Sequence, residues 1–303
     1  MRRSCTQPFN LARTLLVPLV LLTCAPFAPA RDIYVDNEKG DDRYVGQYPL
    51  PGNVSDGPCR TIARALFLAK AGDRLILAKN AEPYRESVTL QGPRHSGLTT
   101  TPFRLVGNGA TLDGRSPIRS SVWQPLRDDL YRFQPATMSA GMLFKDGESI
   151  APRRGRIADV RPSQLSPGEG FLFQTHYYFR AERGKIPHEY ELSAAALPVG
   201  ITLCDIHNVV IEDLVIHGFQ LDGLSAADGV ADVRLEKVVS QANGRSGFAI
   251  KGASRVQLAS CQASGNGRAQ VWVDDYAALQ VTQSVFSKDS APDIHLAGGR
   301  IAP

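Results

Sequence analysis

The sequence predicts an all-β fold, a parallel β-helix (solenoid) with an N-terminal capping helix and a β-rich insertion, and three observations lead there. Val209, Val233, Val256 and Leu279 lie 24, 23 and 23 residues apart, as do Ile211, Leu235, Leu258 and Val281. Leu224, Phe248, Val271 and Ile294 keep the same spacing, and Ala226, Ile250, Val273 and Leu296 follow two residues beyond them. Apolar residues two apart mark one face of a strand, and a period in the twenties marks stacked coils. Third, the period is lost between residues 115 and 198, where Trp123, Phe133, Phe144, Phe171 and Phe179 fall in aromatic-rich strand candidates separated by Asp128-Asp129, Asp146-Gly147 and Pro167-Gly168 turns.

Taken in order, residues 1–30 read as a secretory signal. Arg2, Arg3 and Arg13 precede or flank an apolar run at 15–22, and Ala28-Pro29-Ala30 fits a small-x-small cleavage site. Such a run is too short for stable membrane insertion. The expected location is secreted or periplasmic after cleavage near Ala30. Without the leader, 31 basic residues face 30 acidic ones, because three of the 34 basic residues lie in the first thirty positions. A nearly neutral chain has no global field to draw it to nucleic acid or to an anionic membrane. Cys59, Cys204 and Cys261 remain, an odd number without metal-ligand spacing, and Cys261 shares a row with Leu214 and Val238.

Residues 31–114 form the cap and first coils. A short alternating strand at 32–37 is followed by a Pro- and Gly-rich loop, then by Thr61 as a helix N-cap. Ile62, Ala65, Leu66 and Ala69 place an apolar stripe at helical spacing before Gly72-Asp73. A helix here would cover the open edge of the first coil. Ile33-Tyr34-Val35-Asp36, Gly57-Pro58-Cys59-Arg60-Thr61-Ile62, Ala71-Gly72-Asp73-Arg74-Leu75-Ile76-Leu77, Tyr84-Arg85-Glu86 and Val88-Thr89-Leu90 together resemble the entry to secreted right-handed parallel β-helix proteins of the pectate-lyase-like superfamily. The resemblance covers residues 32–114 and 199–299 and implies the right-handed coil. It does not fix the chemistry, since that superfamily holds lyases, hydrolases, epimerases and proteins without known activity.

Residues 115–198 are expected to be an insertion packed on the solenoid, and residues 199–303 the C-terminal coils. Alternation in these coils places Thr202, Ser225, Ala249, Trp272 and His295 in one outward row. Cys204, Ala227, Lys251, Asp274 and Ala297 make a second, with Asp205, Asp228, Gly252, Asp275 and Gly298 at the strand ends. Successive coils stack about 4.8 Å apart, so outward side chains can act together. Asp228, Lys251, Asp274 and Asp275 are the catalytic candidates. Asp228 and Asp275, with backbones about 9.6 Å apart, approach the upper limit for an inverting carboxylate pair, whereas Asp205 and Asp228 fall near the retaining distance. Lys251 beside Asp274 suits a lyase base. Trp272 suits stacking on a sugar ring, and Arg245, Arg268 and Asp222 suit substrate binding, the arginines by gripping a carboxylate. The plainer alternative makes the aspartates turn caps and Lys251 with Asp274 a solvated cross-strand pair.

Asp222-Gly223-Leu224-Ser225-Ala226-Ala227-Asp228, followed by Asn243-Gly244-Arg245-Ser246-Gly247-Phe248, is similar in layout to the mannuronan C5-epimerase repeat. Where that family carries Asp-Pro-His-Asp, this chain has Ser225, Ala226, Ala227 and Asp228, so only the last acid is kept and the same reaction at that place is not expected. Asn243 and Asn266, 23 residues apart with Asp289 a further 23 on, predict an asparagine ladder whose amides donate to the next coil and whose backbone takes the left-handed conformation. His207, His217 and His295 share no row, so no transition-metal site is expected. No cofactor is implied, although Asp228, Asp274 and Asp275 offer the hard oxygens that calcium prefers.

Two functions follow. The first is a secreted protein that binds or processes a polysaccharide or oligosaccharide on an outward sheet face, lyase- or hydrolase-like if catalytic. The second is a non-catalytic envelope or surface scaffold. The final strand edge predicts self-association through the C-terminal coil.

Overall fold

A computed structural model describes residues 30–52, 56–135, 142–151 and 160–302. Residues 1–29 of the expected signal sequence at 1–30 lie outside them. The coils are built from three ladders of parallel strands. The first ladder joins Val88–Gln91, Ile201–Cys204, Asp222–Asp228, Ser246–Ile250, Ala269–Asp274 and Ile294–Ala297, all parallel. The second runs through Asp32–Val35, Arg74–Leu77, the first halves of Phe103–Asp113 and His207–His217, Ala231–Glu236, Arg255–Ala259, Ala278–Thr282 and Arg300–Ile301. The later halves of the two long strands continue into the third ladder with Val239–Gln241, Gln262–Ser264 and Val285–Phe286. The protein is an all-β parallel solenoid.

Hydrophobic columns hold the coils in register. Ile201, Leu224, Phe248, Val271 and Ile294 pair in sequence along the first ladder, the first four fully buried. Burial of each such side chain stabilises the fold by roughly 1.5–3 kcal/mol. The single 24-residue interval has a local cause. Leu203 pairs with Ala226 but Cys204 pairs with Asp228, so Ala227 is the extra residue of a bulge. This corrects the expected row, which set Cys204 opposite Ala227.

The coil of Phe103–Asp113 turns from the second ladder to the third through Gly107, Asn108 and Gly109, since Val106 pairs with Glu212 and Ala110 with Leu214; in the coils that follow the corner is one residue wide. Asp213, Lys237, Ser260 and Gln283 occupy it on successive coils with φ of 51°, 51°, 54° and 50°. A left-handed conformation suits Asp better than Lys or Gln, so this corner is imposed by the coil rather than by residue type. The third corner carries the asparagine ladder, with two corrections. Ala242 and Gly265 take the positive φ, not the asparagines. The coil-to-coil link is made largely by side-chain oxygen: Asn243 Oδ1 accepts from the Phe219 N–H at 3.0 Å, and Asn266 Oδ1 accepts from the Asn243 N–H at 2.9 Å. Asp289 Oδ1 accepts from the Gly265 N–H at 3.2 Å in the coil above.

At the N-terminal end, helix Ile62–Leu68 buries Ile62, Ala65 and Leu66 against the first coils. Its N-cap Thr61 accepts from the Arg64 N–H, and the Glu86 carboxylate accepts from the Ile62 and Ala63 N–H groups at 2.9 Å each. The helix stops at Leu68, one turn earlier than Gly72 suggests, because Ala69 is already extended. Cys59 and Cys261 are buried, Cys204 is exposed, and none of the three is in a disulfide.

Two four-stranded antiparallel sheets interrupt the coils. One has the order Gly170–Phe173, His176–Arg180, Leu130–Phe133, Gln124–Pro125; the other Arg115–Pro117, Leu192–Ala195, Leu143–Lys145, Glu148–Ser149. Asp113, buried at the end of a third-ladder strand, latches the second sheet to the solenoid. Its carboxylate accepts from Arg115 through the backbone N–H, Nε and Nη2, and from Arg85 Nη1. His217 Nδ1 faces it at 3.8 Å, and the Phe144 ring lies 5.4 Å from the His217 ring. Burial opposes the Asp113 charge, but His217 and Arg115 outweigh it and hold the carboxyl well below the usual carboxylate range. Among the described residues no helix is long and apolar enough to cross a membrane.

Candidate functional site

The outward side of the first ladder gathers most of the candidate residues. Thr202, Ser225, Ala249, Trp272 and His295 pair in that order, so this row stands as spacing predicts. The Trp272 and His295 rings lie 4.3 Å apart between centroids. Trp272 Nε1 donates to Asp274 Oδ2 at 3.3 Å, which fixes the indole over the strand end. Ser225 and Ala249 are buried. The face is thus partly covered rather than an open plane.

Asp222, expected to meet substrate, is fully buried and forms the electrostatic centre of this face. Arg245 grips it with Nε on Oδ1 at 2.9 Å and Nη2 on Oδ2, Ser246 donates its hydroxyl to Oδ1, and Lys251 Nζ stands 3.7 Å from Oδ2. The strand start places Asp222 opposite Ser246, while Lys251 folds back from the far end of the neighbouring coil. A carboxylate held on every side by donors is a positioning group. It fixes Arg245 and Lys251, whose side chains stay 30% and 26% exposed.

Asp228 and Asp275 lie at the first corner, not on the sheet face. Asp228 Oδ1 accepts from the Gly229 and Ala253 N–H groups at 2.9 and 3.2 Å, and Asp275 Oδ2 accepts from the Gly252 N–H at 3.2 Å. The two carboxylates clasp the corner of the intervening coil from either side. Asp274 Oδ1 likewise accepts from the Asp275 N–H at 2.9 Å. Arg268 is exposed and docks by its backbone N–H on Arg245 O at 2.8 Å. The structure therefore brings Asp222, Arg245, Lys251, Trp272 and Asp274 to one face and leaves Asp228, Asp275 and Arg268 at its edges. Among the described residues no three His, Cys, Asp or Glu side chains converge as a metal-binding group.

A second surface escapes a reading confined to the first ladder. On the outward side of the second ladder, Val210, Arg234, Gln257 and Gln280 pair coil to coil, within a groove of about 580 Å³ that runs from Thr99 to Ala302. The signal was available, since these four residues are 24, 23 and 23 positions apart.

No family model matches the sequence, and no curated protein matches it. Among solved structures, one titled "Glycoside hydrolase" is similar with a TM-score of 0.55 and 11% identity, over 88% of this chain and 77% of that one. The likeness is one of fold. A structure titled "The complex structure of XylC with xylose" aligns at a TM-score of 0.41 and 14% identity, over 89% of this chain and 68% of that one.

Proposed function

We propose that the chain is a secreted right-handed parallel β-helix protein of the pectate-lyase-like type that binds or processes a polysaccharide along the outward side of its first ladder. One arrangement carries this reading: a fixed indole, Trp272, beside Asp274, with Arg245 and Lys251 held half-exposed by the buried Asp222. An aromatic plane flanked by anchored donors is the equipment that sugar rings and their hydroxyls require. In this reading Trp272 stacks on a ring, Arg245 and Lys251 donate to oxygens of the chain, and Asp274 is the carboxylate nearest the bound sugar. Asp228 and Asp275 hold the corner through the backbone bonds they already make. The fold likeness to a protein titled a glycoside hydrolase supports carbohydrate as the ligand class, and hydrolysis or elimination as the reaction class if chemistry occurs.

The scaffold alternative is favoured by the same hydrogen bonds, because Asp228, Asp274 and Asp275 each engage a backbone N–H. The secreted form, screened against neutral and acidic glycans for unsaturated products, reducing ends and binding, separates the two. Products or binding lost in Trp272→Ala support the glycan reading, and no response across the panel supports the scaffold. The last coil exposes Val285 and Leu296 by 68% and 51%; its pairing with a second copy is tested by sedimentation velocity, where a strict monomer at high concentration refutes it.

A further inference from the structure

Besides the first-ladder site, the groove on the second ladder holds a pair of arginines set for a different task. Arg255, Ala278 and Arg300 are consecutive partners across three coils. The two arginine backbones stand about 9.6 Å apart, with only a methyl group between them. Both arginines are exposed and line the groove. Among the described residues neither guanidinium has an ion-pair partner. Their neighbours differ: Arg104 is bound bidentately by Glu212, and Arg234 Nε lies 2.6 Å from Glu236 Oε1. The chain neutralises its arginines elsewhere on this ladder and leaves these two open.

We propose that Arg255 and Arg300 clamp a carboxylate of an acidic polysaccharide laid along the second-ladder groove, as a binding surface separate from the first-ladder site. The guanidinium is a planar fork of donors matched to carboxylate oxygens. Two forks on either side of Ala278 converge on an anion lying over that small residue. Gln257, on the adjoining row, presents an amide beside the clamp that suits ring hydroxyls. The groove continues across the coils toward Asn208 and Thr99, which favours a linear polymer over a compact anion. Asp232 is the acid in the groove lining, and it lies one coil away from Arg255. Charge therefore orients the ligand, with its acidic groups toward the C-terminal coils.

Affinity electrophoresis and calorimetry of the full secreted chain with polyglucuronate test this, using its carboxyl-reduced neutral form as the control. The expected result is binding that weakens as salt rises, loss of tenfold or more in Arg255→Ala/Arg300→Ala, partial retention in Arg255→Lys/Arg300→Lys, and no change in Trp272→Ala. Both arginines are exposed, and a circular dichroism melt matching wild type establishes that the double variant is folded. The inference is overturned if the folded alanine double variant binds as wild type does, if the carboxyl-reduced polymer binds equally, or if wild type does not bind polyglucuronate. Binding lost in Trp272→Ala but kept in the arginine variant overturns it in favour of the first-ladder site. The first-ladder reading fails separately, when Trp272→Ala leaves every glycan response unchanged.

Discussion

Replacing Asp222 probes the centre of the first-ladder face. Its carboxylate is fully buried, whereas Arg245 and Lys251 keep 30% and 26% side-chain exposure. Asp222→Ala leaves two cations and the Ser246 hydroxyl without their shared acceptor. Breaking a buried pair from one side costs about 3–5 kcal/mol, and partial access to water for both cations sets the lower end, about 3 kcal/mol. Arg245→Ala strands a buried anion but leaves Ser246 and Lys251 beside it, so a cost of ~2–3 kcal/mol is expected. The double replacement Asp222→Leu/Arg245→Met removes both charges at similar volume but leaves the buried Ser246 hydroxyl without its acceptor, so it costs ~1–2 kcal/mol, less than Asp222→Ala alone. Urea melts read this directly. With a slope of about 3 kcal/mol/M, Asp222→Ala lowers the midpoint by about 1 M and the double variant by about half as much. A cost under ~1 kcal/mol for Asp222→Ala, or a double variant that loses the sum of the singles, refutes the view of Asp222 as a buried counter-ion.

Other expectations follow from the corners and the latch. Asn266→Ala removes the acceptor for Asn243 and the donor to Gln270 and Ser240 O, all buried, and should cost about 2–3 kcal/mol in a thermal or urea melt. The Asp113 carboxyl titrates below its usual value near ~3.9, so between those two values the unfolded chain holds the extra proton. Stability is full above about pH 4 and falls as pH drops through that window; Asp113→Asn should flatten the acid limb of a melting-temperature profile. Phe248→Ala, at a fully buried site between Leu224 and Val271, should cost about 3–5 kcal/mol by the same melts. Because the Asp228 and Asp275 oxygens engage backbone N–H groups, EDTA should leave glycan binding unchanged; a loss reversed by added calcium would refute this expectation.

The columns were legible because a coil must return the same interior position at the same interval, whatever apolar side chain fills it: Leu224, Phe248, Val271 and Ile294 differ in shape and agree in spacing. The Trp272 and His295 contact follows from that register. What spacing does not convey is where an extra residue is absorbed. The 24-residue interval is visible in the sequence, but only backbone pairing assigns it to Ala227. Nor did residue type locate the tight corner, since Lys237 and Gln283 take a conformation that asparagine would advertise. Asp222 reads as a substrate ligand because it opens the stretch that resembles an epimerase repeat, and its burial comes with Arg245, Ser246 and Lys251 closing around it. The insertion keeps no period, so the order of its antiparallel strands depends on long-range pairing such as Arg115–Pro117 with Leu192–Ala195. Concavity is likewise a tertiary property, and Arg255 with Arg300 became a pair only when Ala278 was placed between them.

The bend at Asp213, Lys237, Ser260 and Gln283 holds one residue on four successive laps, but the lap before them makes the same bend with Gly107, Asn108 and Gly109. Leu105 and Leu112 still stack on Ile211 and Ile216 across those two added residues, just as the columns run intact past the bulge at Ala227, so both turns accept an addition. A peptide tag or a grafted recognition loop therefore belongs beside the exposed Asn108, away from the Gly252 and Ala253 N–H groups that Asp275 and Asp228 hold. There an added segment would project outward on a rigid rod at a height set by its lap.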